Sequence, residues 1–187
     1  KNRISTTFTF DTKSIIIDIA DNWGNNNYTS IRKVEFLDVN SQVISLTASD
    51  FDSYATSSIY GAAAIDIPFL SSTSKTGSLG STVWLANGTS FIRIICVLNT
   101  LTPIAGIVIN NASITYTTLA GAKNIKIYVT EETVTDTVWG NSVSGGTKVF
   151  DDQLTVHPNV DVADDQDLTL DIPSNTGWDI ILATKNN

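Results

Sequence analysis

The side chains best suited to recognition chemistry lie in one short stretch, NWGNNNY, at residues 22 to 28. Sugar sites combine an aromatic plate, which packs on the C–H face of a ring, with amides that bond the hydroxyls. Both components occur here within six residues, so the stretch is the candidate ligand-binding site, with Trp23, Asn25, Asn26, Asn27 and Tyr28 as its residues. The competing interpretation is structural, and it is favoured for the two aromatics: they pack at the end of the fold, while the asparagines cap a turn.

Catalytic chemistry finds little support in the sequence. The single histidine, His157, is expected to be a solvated loop residue, and no G-x-S-x-G nucleophile elbow occurs. The adjacent acidic pairs at 131–132 and 151–152 do not suit glycosidase chemistry, because neighbouring residues on a strand point to opposite faces. We therefore expect a protein that is not an enzyme and has no catalytic residue.

A metal site is not predicted either. The segment DVADDQD, residues 161 to 167, crowds four aspartates together but lacks the glycine and the terminal glutamate of an EF-hand loop. An acidic, solvated loop is the expected structure there. No residue is assigned as a metal ligand.

Composition limits the class of protein and its partners. The 187 residues suit one domain, 1–187, and 42% hydrophobic residues are enough for a core. A net charge of -8 and the lack of a basic stretch argue against a nucleic-acid partner. No apolar run reaches the roughly 18 residues of a membrane span, so membrane insertion is not expected. The Ser-, Thr- and Asn-rich polar surface is common on extracellular and virion proteins, and the single cysteine, Cys96, reads as a buried small hydrophobe.

Alternating polar and apolar residues dominate the chain and predict β-strands. Such alternation occurs in SIIIDIA, KVEFLD, NIKIYV, DLTLDI and WDIILA, and two runs apolar on both faces, FIRIICVL and IAGIVI, read as central strands. Residues 48–64 fit only a short helix or an irregular loop. Trp84 and Trp178 are expected in the core, and Trp139 is a candidate for exposure at a hairpin tip. The fold class is therefore all-β: an antiparallel β-sandwich with jelly-roll topology and few or no helices.

The order of these elements resembles the discoidin-like jelly rolls, also called coagulation factor 5/8 type C or galactose-binding-like modules. The resemblance covers residues 14 to 183 and is carried by Thr82 and Trp84 before a strand with Ile92 and Ile94, then Ile104 with Gly106, then Ala122-Lys123 with Ile125 and Ile127. The opening segment, SIIIDIADNWGNNNYTSIRKVEFLD, resembles the first hairpin of the discoidin-like modules found in phage tail and virion proteins.

The resemblance implies a packing role for Trp84 and a surface-recognition function. Many relatives bind calcium in the loop before this Trp, but the loop KTGSLGSTVW contains no carboxylate, so calcium is possible yet unsupported and no cofactor is assigned. The expected function is non-catalytic binding of a glycan or host-surface ligand, on a virion, a tail fibre or an extracellular protein. One alternative is a structural building block of a virion or surface layer that contacts neighbouring copies. A remote alternative is an accessory domain of a polysaccharide-degrading enzyme.

Overall fold

The computed structural model describes residues 8–61, 64–76, 83–111, 118–158 and 163–171. These residues form nine strands: β1 Phe10–Asp21, β2 Tyr28–Leu37, β3 Phe51–Thr56, β4 Trp84–Asn87, β5 Ser90–Ile104, β6 Gly106–Asn111, β7 Asn124–Thr130, β8 Thr147–Gln153 and β9 Asp165–Leu168. The larger sheet has the order β3-β5-β1-β7-β8 and the smaller has the order β4-β2-β6-β9. Within the described ranges the helices are three short 3-10 turns, at Ala48–Asp50, Ile67–Phe69 and Thr118–Ala120.

The two sheets pack face to face as an antiparallel β-sandwich, which confirms the predicted fold class. Neighbouring strands pair in antiparallel fashion throughout both sheets. Along the chain, consecutive strands lie in different sheets at each connection except β7 to β8, which gives the sandwich its jelly-roll character. No helix in the described part of the chain is long and apolar enough to cross a membrane.

The core lies between the sheets and follows the predicted alternation. Ile15, Ile17 and Ile19 from β1 face Val34 and Phe36 from β2 in one buried cluster. Trp84 is fully buried in the same cluster, as expected. Burying an aromatic side chain of this size removes about 200 Å² from water, worth about 5 kcal/mol. The other predicted core tryptophan, Trp178, and the strand predicted around it lie outside the described residues.

Both runs predicted as central strands occupy interior positions. β5 lies between β3 and β1, and β6 lies between β2 and β9. The outer face of the larger sheet is covered by residues 131–146, the connection from β7 to β8, which we call the strap. Val134 of the strap packs on Ile16, Ile95 and Val97, and its backbone N–H donates to Ser14 Oγ at 3.1 Å.

Two stretches differ from the sequence prediction. Residues 51–56, expected to be irregular or helical, form the edge strand β3, in which Phe51 and Tyr54 pack together at 4.8 Å between ring centroids. The alternation there was hidden because a bulge follows Phe51. The acidic segment near 165 is a strand, β9, and not a solvated loop, because it pairs with β6 and Lys75 neutralises Asp165 across 2.8 Å.

Candidate functional site

One end of the sandwich collects the connections that carry the predicted site, and we call it the loop end. β1 finishes there and β2 begins there, and the antiparallel registers Tyr28↔Asn87 and Asp21↔Ser90 bring the β4–β5 turn alongside. The segments after β3 and before β7 also lie here. In the first, Ser57 N–H donates to Arg93 O, and in the second, Ala122 forms an isolated antiparallel β-bridge with Asn22. The loop 22–27 therefore lies beside three other connections.

The loop 22–27 is shaped by two asparagine side chains. Asn22 Nδ2 donates to the carbonyl oxygens of Asn25 and Tyr28 at 3.1 and 2.8 Å, and its Oδ1 accepts from Gly24 N–H. Gly24 has a φ of +116°, which only glycine adopts without strain. Asn25 Oδ1 accepts from the N–H groups of Asn27 and Tyr28 at 2.9 and 2.8 Å. Asn25 therefore caps the turn, and its amide oxygen is committed to the backbone.

Trp23 is half-buried, and one face of its ring is already occupied. The ammonium of Lys123 lies 5.0 Å from the ring centroid, a cation–π contact worth about 0.5 to 1 kcal/mol where solvent reaches it. The backbone N–H of Trp23 donates to Gly121 O at 3.2 Å. These contacts pack one face of Trp23 against the segment before β7.

Tyr28 contacts a partner that the sequence did not reveal. Its ring meets Tyr60 edge to face, with 4.8 Å between centroids and 69° between planes. Tyr60 is 45% exposed, and its backbone N–H donates to Leu85 O at 2.8 Å, which fixes it beside β4. A side-chain hydrogen bond with Tyr60 raises the pKa of Tyr28 above its ordinary value. Tyr60 was missed because residues 48–64 carried no clear strand signal.

Exposed amides surround this tyrosine pair. Asn26 and Asn27 are exposed, and Asn27 O accepts from Gly88 N–H at 3.0 Å, which joins the loop to the β4–β5 turn. The exposed Asn87 is the register partner of Tyr28. We call the surface formed by Tyr28, Tyr60, Asn26, Asn27 and Asn87 the tyrosine site. It retains three of the five predicted residues and adds Tyr60 and Asn87.

A second aromatic pair joins the strap to β5. Trp139, expected at an exposed hairpin tip, is instead half-buried against Phe91, with 4.8 Å between ring centroids. The reason is that the strap folds back onto the sheet, where Arg93 donates to its carbonyl oxygens at Asp136 and Asn141. Phe91 and Val138 remain 61% and 57% exposed.

His157 is buried, at 3% exposure, and not solvated as the sequence suggested. The segment after β8 is held inward because Asn111 Nδ2 donates to Thr155 O and Gln166 Oε1 accepts from Thr155 N–H. The described ranges contain no group of three or more His, Cys, Asp and Glu side chains placed to hold a metal ion.

A cleft of about 460 Å³ opens between the edge strands β8 and β9. Its walls are acidic, with Asp151, Asp152 and Asp167 among them, over a floor that includes Leu154 and Leu168. It lacks an exposed aromatic face, so it does not share the chemistry of the two aromatic surfaces.

Comparison of the chain with protein-family models, with curated proteins and with solved structures gives no match in any of the three. The functional interpretation therefore depends on the chemistry of the aromatic surfaces, and the discoidin-like resemblance stays a prediction.

Proposed function

We propose that this chain is a non-catalytic recognition module that binds a glycan through the tyrosine site, displayed on a virion, a tail fibre or another extracellular protein. The observation that carries the proposal is the contact of the half-buried Tyr28 with the exposed Tyr60, next to the exposed amides of Asn27 and Asn87. The discoidin-like order of elements supports the same class of function.

The tyrosine site has the groups that a sugar requires. An exposed ring such as Tyr60 offers an apolar face to the C–H side of a pyranose, and its hydroxyl can donate or accept. Asn26, Asn27 and Asn87 add amides that can bond hydroxyl groups. The pair and the loop are held by backbone hydrogen bonds, so little conformational entropy is lost when a ligand binds.

The charge of the chain narrows the ligand class. At a net charge of -8, the protein repels sialylated or sulfated glycans at long range. The ammonium of Lys123, at the same end of the sandwich, is engaged with the Trp23 ring. We therefore propose neutral saccharides as ligands.

A glycan array followed by calorimetric titration tests the proposal. Tyr60→Ala removes the exposed ring and is expected to weaken binding at least about tenfold, as loss of one stacking contact of about 1.4 kcal/mol would. Trp23→Ala is expected to act less strongly, because one face of that ring is already covered. Leu101→Ala is the matched control, since Leu101 is an exposed apolar residue at the other end of β5.

The proposal fails if no neutral saccharide binds at about millimolar concentration. It also fails if Tyr60→Ala binds as the unchanged protein does.

A structural role in an assembly is the second candidate, favoured by the exposed apolar side chains of Phe91 and Val138 beside Trp139. Single apolar residues on a surface are common, but contiguous ones mark contacts between proteins. Mass measurement in solution separates the candidates, because a building block forms oligomers or joins a particle and an isolated module stays monomeric. An accessory role beside a polysaccharide-degrading enzyme would use the same glycan site.

A further inference from the structure

We infer that the strap carries a second saccharide-binding site, formed by Phe91, Val138 and Trp139 with Asp136 and Asn141, and we call it the strap site. It lies on the outer face of the larger sheet and shares no residue with the tyrosine site. Four observations carry it: a strained exposed aromatic, a pinned turn, a buried anchor and a suitable set of polar groups.

Phe91 is presented in a backbone conformation that a bulky residue rarely adopts. Its φ is +59°, in the left-handed region that favours glycine. Such strain persists when surrounding structure enforces it, and it concentrates at functional sites. Here the strain is not offset by burial, since Phe91 is 61% exposed and its ring packs against Trp139.

The turn that carries Val138 and Trp139 is fixed by its own hydrogen bonds. Asp136 Oδ1 accepts from Val138 N–H at 2.9 Å, and Asp136 Oδ2 accepts from Asn141 Nδ2 at 2.8 Å. Gly140 supplies the positive φ, +79°, that closes the turn. The two apolar side chains are thus held in place before any ligand arrives.

Arg93 anchors this turn from beneath. Its Nε and Nη2 donate to both carboxylate oxygens of Asp18 at 2.6 and 2.7 Å, and both side chains are almost fully buried. The same guanidinium donates to the carbonyls of Asp136 at 3.3 Å and Asn141 at 2.8 Å. The hydrogen bond to Asp18 raises the pKa of Arg93, so the anchor is cationic at every physiological pH.

The polar groups beside the rings suit a sugar. Phe91 and Trp139 meet at 66°, so together they form a corner with a ring face on one side. A carboxylate and an amide, Asp136 and Asn141, lie at the base of the same turn and can accept and donate hydrogen bonds to hydroxyls. The carboxylate again disfavours anionic sugars, so the ligand class is a neutral pyranose.

A second copy of the chain fits this surface less well. A stable interface buries about 800 Å² on each partner, whereas an aromatic side chain buries about 150 to 250 Å² at most. Phe91, Val138 and Trp139 together supply less than one partner's share, and two copies of charge -8 repel each other. One or two sugar rings match the available area.

Fluorine NMR of protein labelled with 5-fluorotryptophan tests the strap site. The chain has four tryptophans, so four resonances are expected, and Trp139→Phe and Trp23→Phe identify two of them. Titration with neutral gluco-, galacto- and manno-configured mono- and disaccharides to about 10 mM should shift the Trp139 resonance in a saturable manner. Phe91→Ala should weaken that binding at least tenfold, while Tyr60→Ala and Leu101→Ala leave it unchanged.

The outcomes separate this inference from the proposed function. If saccharide binding is detected and Tyr60→Ala abolishes all of it, the tyrosine site stands and the strap site is wrong. If only the Trp139 resonance responds, the strap site stands alone. If no sugar shifts Trp139, or if Phe91→Ala changes only the sedimentation mass, the surface is a protein contact and the inference is overturned.

Discussion

The ion pair between Asp18 and Arg93 should be the costliest single polar contact to break in the described structure. It joins β1 to β5 across a registered pair and lies almost wholly out of water. Arg93→Met keeps a side chain of similar length but leaves the Asp18 carboxylate buried without its partner. It also removes the two donors that hold the strap.

The expected loss follows from the burial of the unpaired charge. Removing one partner of a buried pair costs about 3 to 5 kcal/mol, mostly because the other charge stays desolvated. A domain of this size has about 5 to 15 kcal/mol of stability, and each kcal/mol shifts Tm by about 2 to 4 °C. We therefore expect Arg93→Met to lower the free energy of unfolding by about 4 kcal/mol and Tm by about 8 to 16 °C.

Urea unfolding followed by tryptophan fluorescence measures the change. The double variant Asp18→Leu/Arg93→Met should recover much of the loss, because it removes the stranded charge as well. Asp52→Asn is the control: it breaks the Lys13–Asp52 pair, also 2.6 Å long and also joined to β1, but half exposed, and should cost less than about 1 kcal/mol. A loss below about 1 kcal/mol for Arg93→Met, or a double variant no more stable than it, would refute the reasoning.

Three further changes test the same structure. Phe91→Gly should be about 1 kcal/mol more stable than Phe91→Ala in urea, because glycine relieves the positive φ and alanine does not. Hydrogen bonds from the Asn141 side chain and the Val138 N–H lower the pKa of Asp136. The Asp136 carboxylate therefore stabilises the fold above its unfolded-state pKa, and this stabilisation is lost as pH falls through its folded-state pKa. Asp136→Asn should flatten that part of an acid-unfolding curve. Full burial raises the pKa of Cys96 well above its ordinary value, so a thiol reagent should label it only in unfolded protein, and labelling of the native state would contradict the burial.

Much of the sandwich could be predicted from local pattern alone. At positions 15, 17 and 19 of β1 and 125, 127 and 129 of β7 every second residue is apolar, and these residues face the core. The strand prediction failed at β3, where the bulge after Phe51 interrupts the alternation. It also failed at the start of β9, where the charge of Asp165 suggested a solvated loop. Neutralisation of Asp165 by Lys75 depends on residues 90 positions apart, which no local pattern contains.

The binding surfaces were harder to predict than the strands for the same reason. The loop 22–27 could be found because its aromatics and amides are adjacent in sequence. Tyr60 joins Tyr28 only through the fold, across 32 positions, and Phe91 joins Trp139 across 48. The asparagines have different roles, which composition cannot reveal. The side-chain oxygen of Asn25 accepts hydrogen bonds from the backbone of its own turn, whereas Asn26 and Asn27 are exposed.

One charged residue in each of two apolar runs is the sequence signal that indicates the buried ion pair and the anchoring of the strap. Arg93 interrupts FIRIICVL and Asp18 interrupts SIIIDIA, and a buried charge is retained only where a partner and hydrogen bonds satisfy it. Arginine suits the position because its planar fork bonds both oxygens of Asp18 and still reaches two strap carbonyls, four contacts that the three donors of a lysine cannot make. The anchor thus explains how an outer loop is rigid while its tip is exposed. The buried Asp18–Arg93 pair holds the strap turn in place. Phe91, Val138 and Trp139 therefore keep one fixed arrangement at the surface, and burial of the ion pair is the cost of that arrangement.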